Sequence, residues 1–212
     1  MNERIRVMVV EDHAVVRQGL IALLSSADDI EVVTSAADGI DAVKAHSEYK
    51  PHITLIDLNL PRMSGVEAIT TIRANDSAAQ FIVLTTFDGD EDIFRAMQAG
   101  AKAYLLKGTD IDDVLATIRT VHSGRSRIPP AIAEKLADRI VRQELTSREL
   151  DTLERIVAGR SNKQIASDLG ISEATVKSHV NSLLAKLGAD DRTQAAIIAV
   201  RRGFVRLPEE HR

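Results

Sequence analysis

The chain has 212 residues, 44% hydrophobic and 27% charged, which excludes a largely disordered protein and gives room for two domains of about 120 and about 70 residues. Cysteine is absent, so disulfides, thiolate metal sites and cysteine nucleophiles are excluded, and the amino-terminal run MNERIRVMVVED has no secretory or membrane-spanning core; a cytoplasmic protein without a membrane partner is expected. The net charge of −4 is unevenly placed: residues 1–122 hold 11 Lys/Arg against 19 Asp/Glu, a net of −8, while 145–212 hold 11 against 9, a net of +2, so only the second part is suited to a polyanion.

Apolar runs of strand length fall at Ile5–Val10, Glu31–Ala36, Ile53–Asp57, Phe81–Thr85 and Ala101–Leu106, separated by segments of helical period. In the first of those segments Val15, Val16, Leu20, Leu23 and Leu24 form an apolar stripe, and in the fifth Ile111, Val114, Leu115 and Ile118 do. Short strands that are apolar on both faces need helices on both sides, so a parallel, doubly wound five-stranded sheet is predicted. Ligands of such sheets bind beyond the carboxyl ends of the strands, where strand order reverses. Glu11 and Asp12 follow the first strand there, Asp57 closes the third, Thr85 the fourth, and Lys107 follows the fifth.

From Ser123 the pattern breaks at Gly124 and at Pro129–Pro130, and residues 123–144 read as an interdomain linker with a short helix. Beyond it only helices are predicted, at about 146–158, 162–168, 173–187 and 192–202. Thr146 and Glu149 have capping-box spacing, Ser172 is placed to cap the third helix, and Gly159, Gly170 and Gly188 stand at the stops. Helix, turn at Gly170 and second helix give a helix-turn-helix, with Ile165, Ala166, Leu169, Ile171, Val176 and Val180 inward.

The chemistry follows from the residue types. Three carboxylates at neighbouring strand ends repel one another unless a hard cation joins them, and Mg²⁺, which takes oxygen ligands and works with phosphate, is the natural occupant. A carboxylate is also a nucleophile toward phosphoryl groups, the Thr85 hydroxyl is a donor for a phosphoryl oxygen, and Lys107 supplies a cation for the transferring charge. On the third carboxyl-terminal helix Lys177, Ser178 and Asn181 lie opposite the apolar stripe, placed to enter a major groove, while Lys163, Thr175 and Lys186 are candidate phosphate contacts. His13, His46, His52, His122, His179 and His211 are dispersed without metal spacing, and no GxGxxG or phosphate loop occurs.

At these residues the sequence resembles a known family. VVEDH, DLNLPRMSG around Asp57, LTTF with Thr85 and AYLLKG with Lys107 resemble the receiver domain of two-component response regulators. The resemblance implies a flavodoxin-like fold over residues 1–122, Asp57 as phosphoacceptor, Glu11, Asp12, Asp57 and the backbone carbonyl of Asn59 as Mg²⁺ ligands, Thr85 and Tyr104 as the switch pair, and Lys107 as the phosphate-contacting lysine. Leu60 and Gly108 depart from the common Met and Pro. LTSRE, NKQIASDLGISEATVKSHVNSLLAKLG and Arg192–Thr193 are similar to the LuxR-type effector of the NarL/FixJ subfamily over residues 145 to about 205, within a domain read as residues 145–212. That resemblance implies base reading by Lys177, Ser178 and Asn181, and a dimer contact through Ala195, Ala196, Ile198 and Ala199 of the last helix.

The expected protein is a phosphorylation-controlled transcriptional regulator with a sensor histidine kinase, double-stranded promoter DNA and a second copy of itself as partners. It is not an enzyme beyond its own phosphoryl transfer and hydrolysis. An aspartyl phosphatase would use the same Asp57 but lacks the second acid two residues on, where Asn59 stands. A phosphate-independent dimerisation module has no need for Glu11, Asp12, Asp57, Thr85 and Lys107 together.

Overall fold

A computed structural model describes residues 3–86, 89–130, 132–134, 136 and 144–205. The chain forms two compact units, residues 1–88 with 93–134 and residues 89–92 with 135–212, and its last passage from the first to the second follows Glu134.

The first unit runs β1 (Ile5–Val10), α1 (Ala14–Ser25), β2 (Ile30–Ala36), α2 (Gly39–Tyr49), β3 (Ile53–Ile56), α3 (Gly65–Asn75), β4 (Gln80–Thr85), α4 (Asp90–Ala99), β5 (Ala103–Leu106) and α5 (Ile111–His122). The strands form one parallel sheet in the order β2-β1-β3-β4-β5, so the direction of winding reverses between β1 and β3. Val7, Val9, Leu55, Ile82 and Leu84 pack with α1 and α5 on one face. The residues of opposite phase, Met8, Val10, Ile56, Phe81 and Val83, are buried as well, which is why the strands read as unbroken apolar runs.

Two expectations need correction. β5 starts at Ala103 rather than Ala101, because the amides of Gly100 and Ala101 close the end of α4 on the carbonyls of Met97 and Ala96. In α1 the stripe is rotated: Leu24 is buried and Leu20 and Ile21 pack on the core, whereas Val15, Val16 and Leu23 are exposed. The first inward position belongs to Arg17, whose guanidinium donates to the Glu11 carbonyl at 2.6 Å. In α5 Val114, Ile118 and Val121 are buried as the period requires.

The second unit holds α6 (Ser147–Val157), α7 (Asn162–Leu169), α8 (Glu173–Leu187) and α9 (Arg192–Arg202). The side chains of Thr146, Ser161, Ser172 and Asp191 each accept the amide three residues on, and the first two complete capping boxes with Glu149 and Gln164. Gly170 and Gly188 end α7 and α8 at φ +65° and +66°, a conformation that strains any side chain. Leu153, Ile156, Ile165, Val176, Leu183 and Leu187 form the core.

Between the units, the helix expected inside 123–144 shows at Pro130, residues 132–134 and 136; positions 131, 135 and 137–143 lie outside the described residues, as does His211. No described helix is long and apolar enough to cross a membrane.

Candidate functional site

Sheet register assembles the first site. Val10 pairs with Ile56, Ile56 with Val83, and Thr85 with Leu106, so the residues that follow or close these strands arrive side by side. The Asp57 amide donates to the Val10 carbonyl at 3.0 Å, and the Lys107 amide to the Thr85 carbonyl at 2.7 Å, which extends the ladder to the site itself.

Glu11 and Asp57 are buried, with 1% and 4% of their surface exposed, and the Lys107 ammonium bridges them at 2.6 Å and 2.7 Å. Burial works against the charge on Lys107, but hydrogen bonds and attraction from Asp57 and Glu11 outweigh it and raise its pKa. Asp12 is more open and binds His13 Nδ1 at 2.8 Å; its charge is the main cause of the raised His13 pKa. Carboxylate oxygens of Glu11 and Asp12 and a ring nitrogen of His13 lie within 4.8 Å of one another. Glu11 and Asp12, with Asp57 tied to them through Lys107, are a hard oxygen donor set that suits Mg²⁺. The Asn59 amide reaches Asp57 Oδ1 at 3.3 Å, and Thr85 and Tyr104 are fully buried.

Residues that pattern alone does not single out hold this site in shape. A Cβ on Gly65 would collide with the Asp57 carbonyl, so the start of α3 approaches Asp57 more closely than any other residue allows. Arg62, left-handed at φ +65°, pairs with Asp38 and Asp41 and pins the loop after Asp57 to α2. The DLNLPRMSG run contains Arg62 and Gly65, but its partners lie more than twenty residues away.

The second site is on α8. Lys177, Ser178 and Asn181 are exposed on one face, at one and four residues' spacing, while Val176 and Leu183 of the same helix are buried. Lys163 and Thr175 are also exposed. Lys186 is placed differently. Its ammonium bonds Glu149 at 2.7 Å and the Glu144 carbonyl at 3.0 Å, and its side chain is only 18% exposed, so it is a strut of the unit rather than an open phosphate contact. Burial would raise the Glu149 pKa, but hydrogen bonds from Lys186, Ser182 and Thr146 lower it to about 2.

The expected dimer contact on α9 also needs correction. Ala195 and Ala199 are fully buried, and Ala196 and Ile198 pack partly against the same core. A helix that turns 195 and 199 inward turns 197 and 200 outward, and Ile197 is 62% exposed and Val200 37%.

Comparison with known proteins gives a family match in each part of the chain. The model of the response regulator receiver domain matches residues 7–119, and that of the bacterial regulatory proteins of the luxR family matches residues 143–199. The chain is 42% identical over 205 residues to the uncharacterized transcriptional regulatory protein YhcZ of Bacillus subtilis, covering 92% of this chain and 95% of that protein. It is 38% identical over 206 residues to the response regulator protein VraR of Staphylococcus epidermidis, covering 95% and 99%. Among solved structures, response regulator ChrA of a heme-sensing two-component system is 36% identical with a TM-score of 0.58, covering 96% of this chain and all of that one.

Proposed function

The chain belongs to the response regulators that join a receiver domain to a LuxR-type DNA-binding domain, and from that membership we propose that phosphorylation of Asp57 governs how the exposed face of α8 is presented to DNA. The protein is a transcription factor under phosphorylation control, not a catalytic enzyme. In this reading residues 1–122 are the receiver, 123–144 the linker and 145–212 the effector.

The observation that carries the acceptor assignment is the Lys107 ammonium held between two buried carboxylates, Glu11 and Asp57, beside the more open Asp12. Three acids and one lysine leave surplus negative charge at the mouth of the crevice, and Glu11, Asp12, Asp57 and the Asn59 carbonyl are the groups that would hold Mg²⁺. A cation held there would supply charge neutralisation for the transfer. Asp57 attacks the phosphorus carried by the histidine of a partner kinase, and the bond to the donor imidazole breaks. Lys107 keeps its proton through the transfer and faces the new phosphoryl charge, and the Thr85 hydroxyl donates to one of its oxygens, with Tyr104 following the movement of Thr85.

On the effector, Lys177, Ser178 and Asn181 read base edges, and Lys163 and Thr175 meet phosphates. Two copies joined through Ile197 and Val200 of α9 would set two α8 helices on neighbouring half-sites in the cytoplasm, raising affinity through effective concentration. The test is Mg²⁺-dependent labelling of the full chain with acetyl phosphate, followed by DNA binding and mass measurement with and without beryllofluoride. A base-labile adduct on Asp57, tighter DNA binding and a larger species are the expected result; equal affinity and equal mass in both states would overturn the control by phosphorylation.

A further inference from the structure

In the sheet order β5 is an edge strand, with one side open to a further chain segment. The segment that follows α5 takes that place. The Arg127 amide donates to the Lys102 carbonyl at 3.0 Å, and Arg127 forms a parallel bridge with Ala103. Its guanidinium binds Asp113 of α5, Nη2 to Oδ1, at 2.8 Å. Beyond it the amides of Ile132 and Ala133 both reach the Pro129 carbonyl, and Ile132 is buried, with 5% of its surface exposed. Between this segment and β5 lies a cavity of about 410 Å³, walled by Tyr104, Leu106, Ile128, Pro129 and Ile132.

We propose that residues 127–130 together with Ile132 are a strap on the edge of the receiver, and that its grip is set by the Tyr104 ring and therefore by the phosphorylation state of Asp57. The strap lies just before Glu134, where the chain passes from the first unit to the second, so a change in its grip changes the point at which the receiver releases the chain that leads to the effector. Among the described residues its holds are few: one backbone pairing, the largely exposed contacts of Arg127 with the Asp113 carboxylate and carbonyl, and the burial of Ile132 against the same wall that Tyr104 completes. Val83 pairs with Tyr104 and Thr85 with Leu106, so movement at Thr85 reaches that wall directly. When the Tyr104 ring shifts toward Thr85 the cavity widens, Ile128 and Ile132 lose contacts on one side, and the exposed ion pair is too weak to hold the strap alone.

This inference rests on the assignment of Asp57 as acceptor and of Thr85 and Tyr104 as its switch. The test is hydrogen exchange on the full chain in Mg²⁺, with and without beryllofluoride, comparing a peptide over 125–132 with one over 101–107. The strap peptide is expected to exchange about two- to five-fold faster with beryllofluoride, with no change in Asp57→Asn. Arg127→Gln, which keeps the amide and removes the guanidinium, is expected to raise exchange of the strap before any activation and to shrink the further increment. Unchanged strap exchange with a changed β5 peptide overturns the strap and leaves the switch reading standing. Unchanged exchange in both overturns the strap and the switch together, and acetyl phosphate labelling then shows whether Asp57 is still the acceptor. An increment of full size in Arg127→Gln also counts against the strap, since the ion pair would not be part of its grip.

Discussion

Each unit of the molecule holds a buried acid on a lysine, and the two pairs are close to identical in geometry. Lys107 lies 2.6 Å from Glu11 and 2.7 Å from Asp57 in the receiver, and Lys186 lies 2.7 Å from Glu149 in the effector. Charge balance separates them. Around Glu149 every polar group is matched: the carboxylate also accepts from Ser182 at 2.6 Å and from the Thr146 amide at 2.7 Å, and one acid faces one lysine. Around Lys107 two buried acids share one lysine, and Asp12 beside Glu11 is paired with His13 and opens toward solvent. A matched buried pair fixes two helices, α6 and α8, whereas the unmatched one leaves carboxylate charge over, which in the proposed function serves a cation and a phosphoryl group.

The sharpest way to break the comparison is to remove the acid from each. Asp57→Asn is expected to abolish Mg²⁺-dependent labelling by acetyl phosphate altogether while leaving the receiver folded, because Lys107 keeps Glu11 and the surplus negative charge falls. Labelling at the unaltered rate would show that another group is the acceptor. Glu149→Ala is expected to leave labelling untouched and to destabilise the effector by about 3 kcal/mol, the low end for breaking a buried pair because Lys186 retains some solvent. Urea unfolding of the full chain, followed by a probe in each unit, measures both; an effector transition that does not move would make Glu149 a bystander.

Acid separates the two in the same way. Glu149 has its pKa lowered from 4.5 to about 2 in the folded effector. A depressed carboxylate contributes stability that is present above its unfolded pKa and is lost as pH falls through the folded one, so the loss runs from about pH 4.5 down to about 2. Lys107 has the opposite sign: its pKa is raised above 10.5, and its contribution is present below that value and lost as pH rises past it. Glu149→Gln should flatten the acid limb of the effector's unfolding curve and leave the alkaline limb of the receiver alone. An unaltered acid limb would mean that another carboxylate controls it.

The first of these sites was far more legible in sequence than the second, and the reason is periodicity. Glu11, Asp12, Asp57, Thr85 and Lys107 each follow or close an apolar run, and in a parallel sheet every such end lies on the same edge, so four local patterns give one crevice. The bridge of Lys107 to Glu11, and of Arg62 to Asp38, is set by how far each side chain reaches across that edge, which no local pattern records. In the effector the signals were symmetrical. An alanine-rich stripe on α9 serves a core as well as an interface, and packing against Leu183 and Leu187 of α8 in one core settles Ala195 and Ala199 inward. Lys186 reads as a free cation because its partner Glu149 is 37 positions away. Val15 and Val16 of α1 extend a stripe whose inward place is taken by Arg17, a residue that pattern assigns to solvent.

Within the effector, base reading is the next effect in size. Asn181→Ala should cost roughly 1 to 3 kcal/mol on the preferred site and relax preference at one position, measured as the ratio of affinities for preferred and random DNA. An equal loss on both would assign Asn181 to the backbone instead.

The smallest effect discriminates most finely, because it sets two lysines of the same domain against each other. Lys163 is exposed on α7, where its charge is open to a phosphate, whereas Lys186 is engaged with Glu149 and the Glu144 carbonyl. If phosphate contact depends on a cation being free to release counterions, Lys163→Ala should weaken binding to every sequence alike and reduce the salt slope by about 1, with unfolding unchanged. Lys186→Ala should do the reverse: it leaves Glu149 buried without its cation, so the effector unfolds at lower urea, while the folded protein keeps its salt slope. The pair of measurements is read together, since lost stability alone lowers apparent affinity through the fraction folded and is removed by working far below the unfolding midpoint. A lowered salt slope for Lys186→Ala under those conditions would mean that the lysine leaves Glu149 for DNA, and that the matched pair in the effector is as exchangeable as the unmatched one in the receiver.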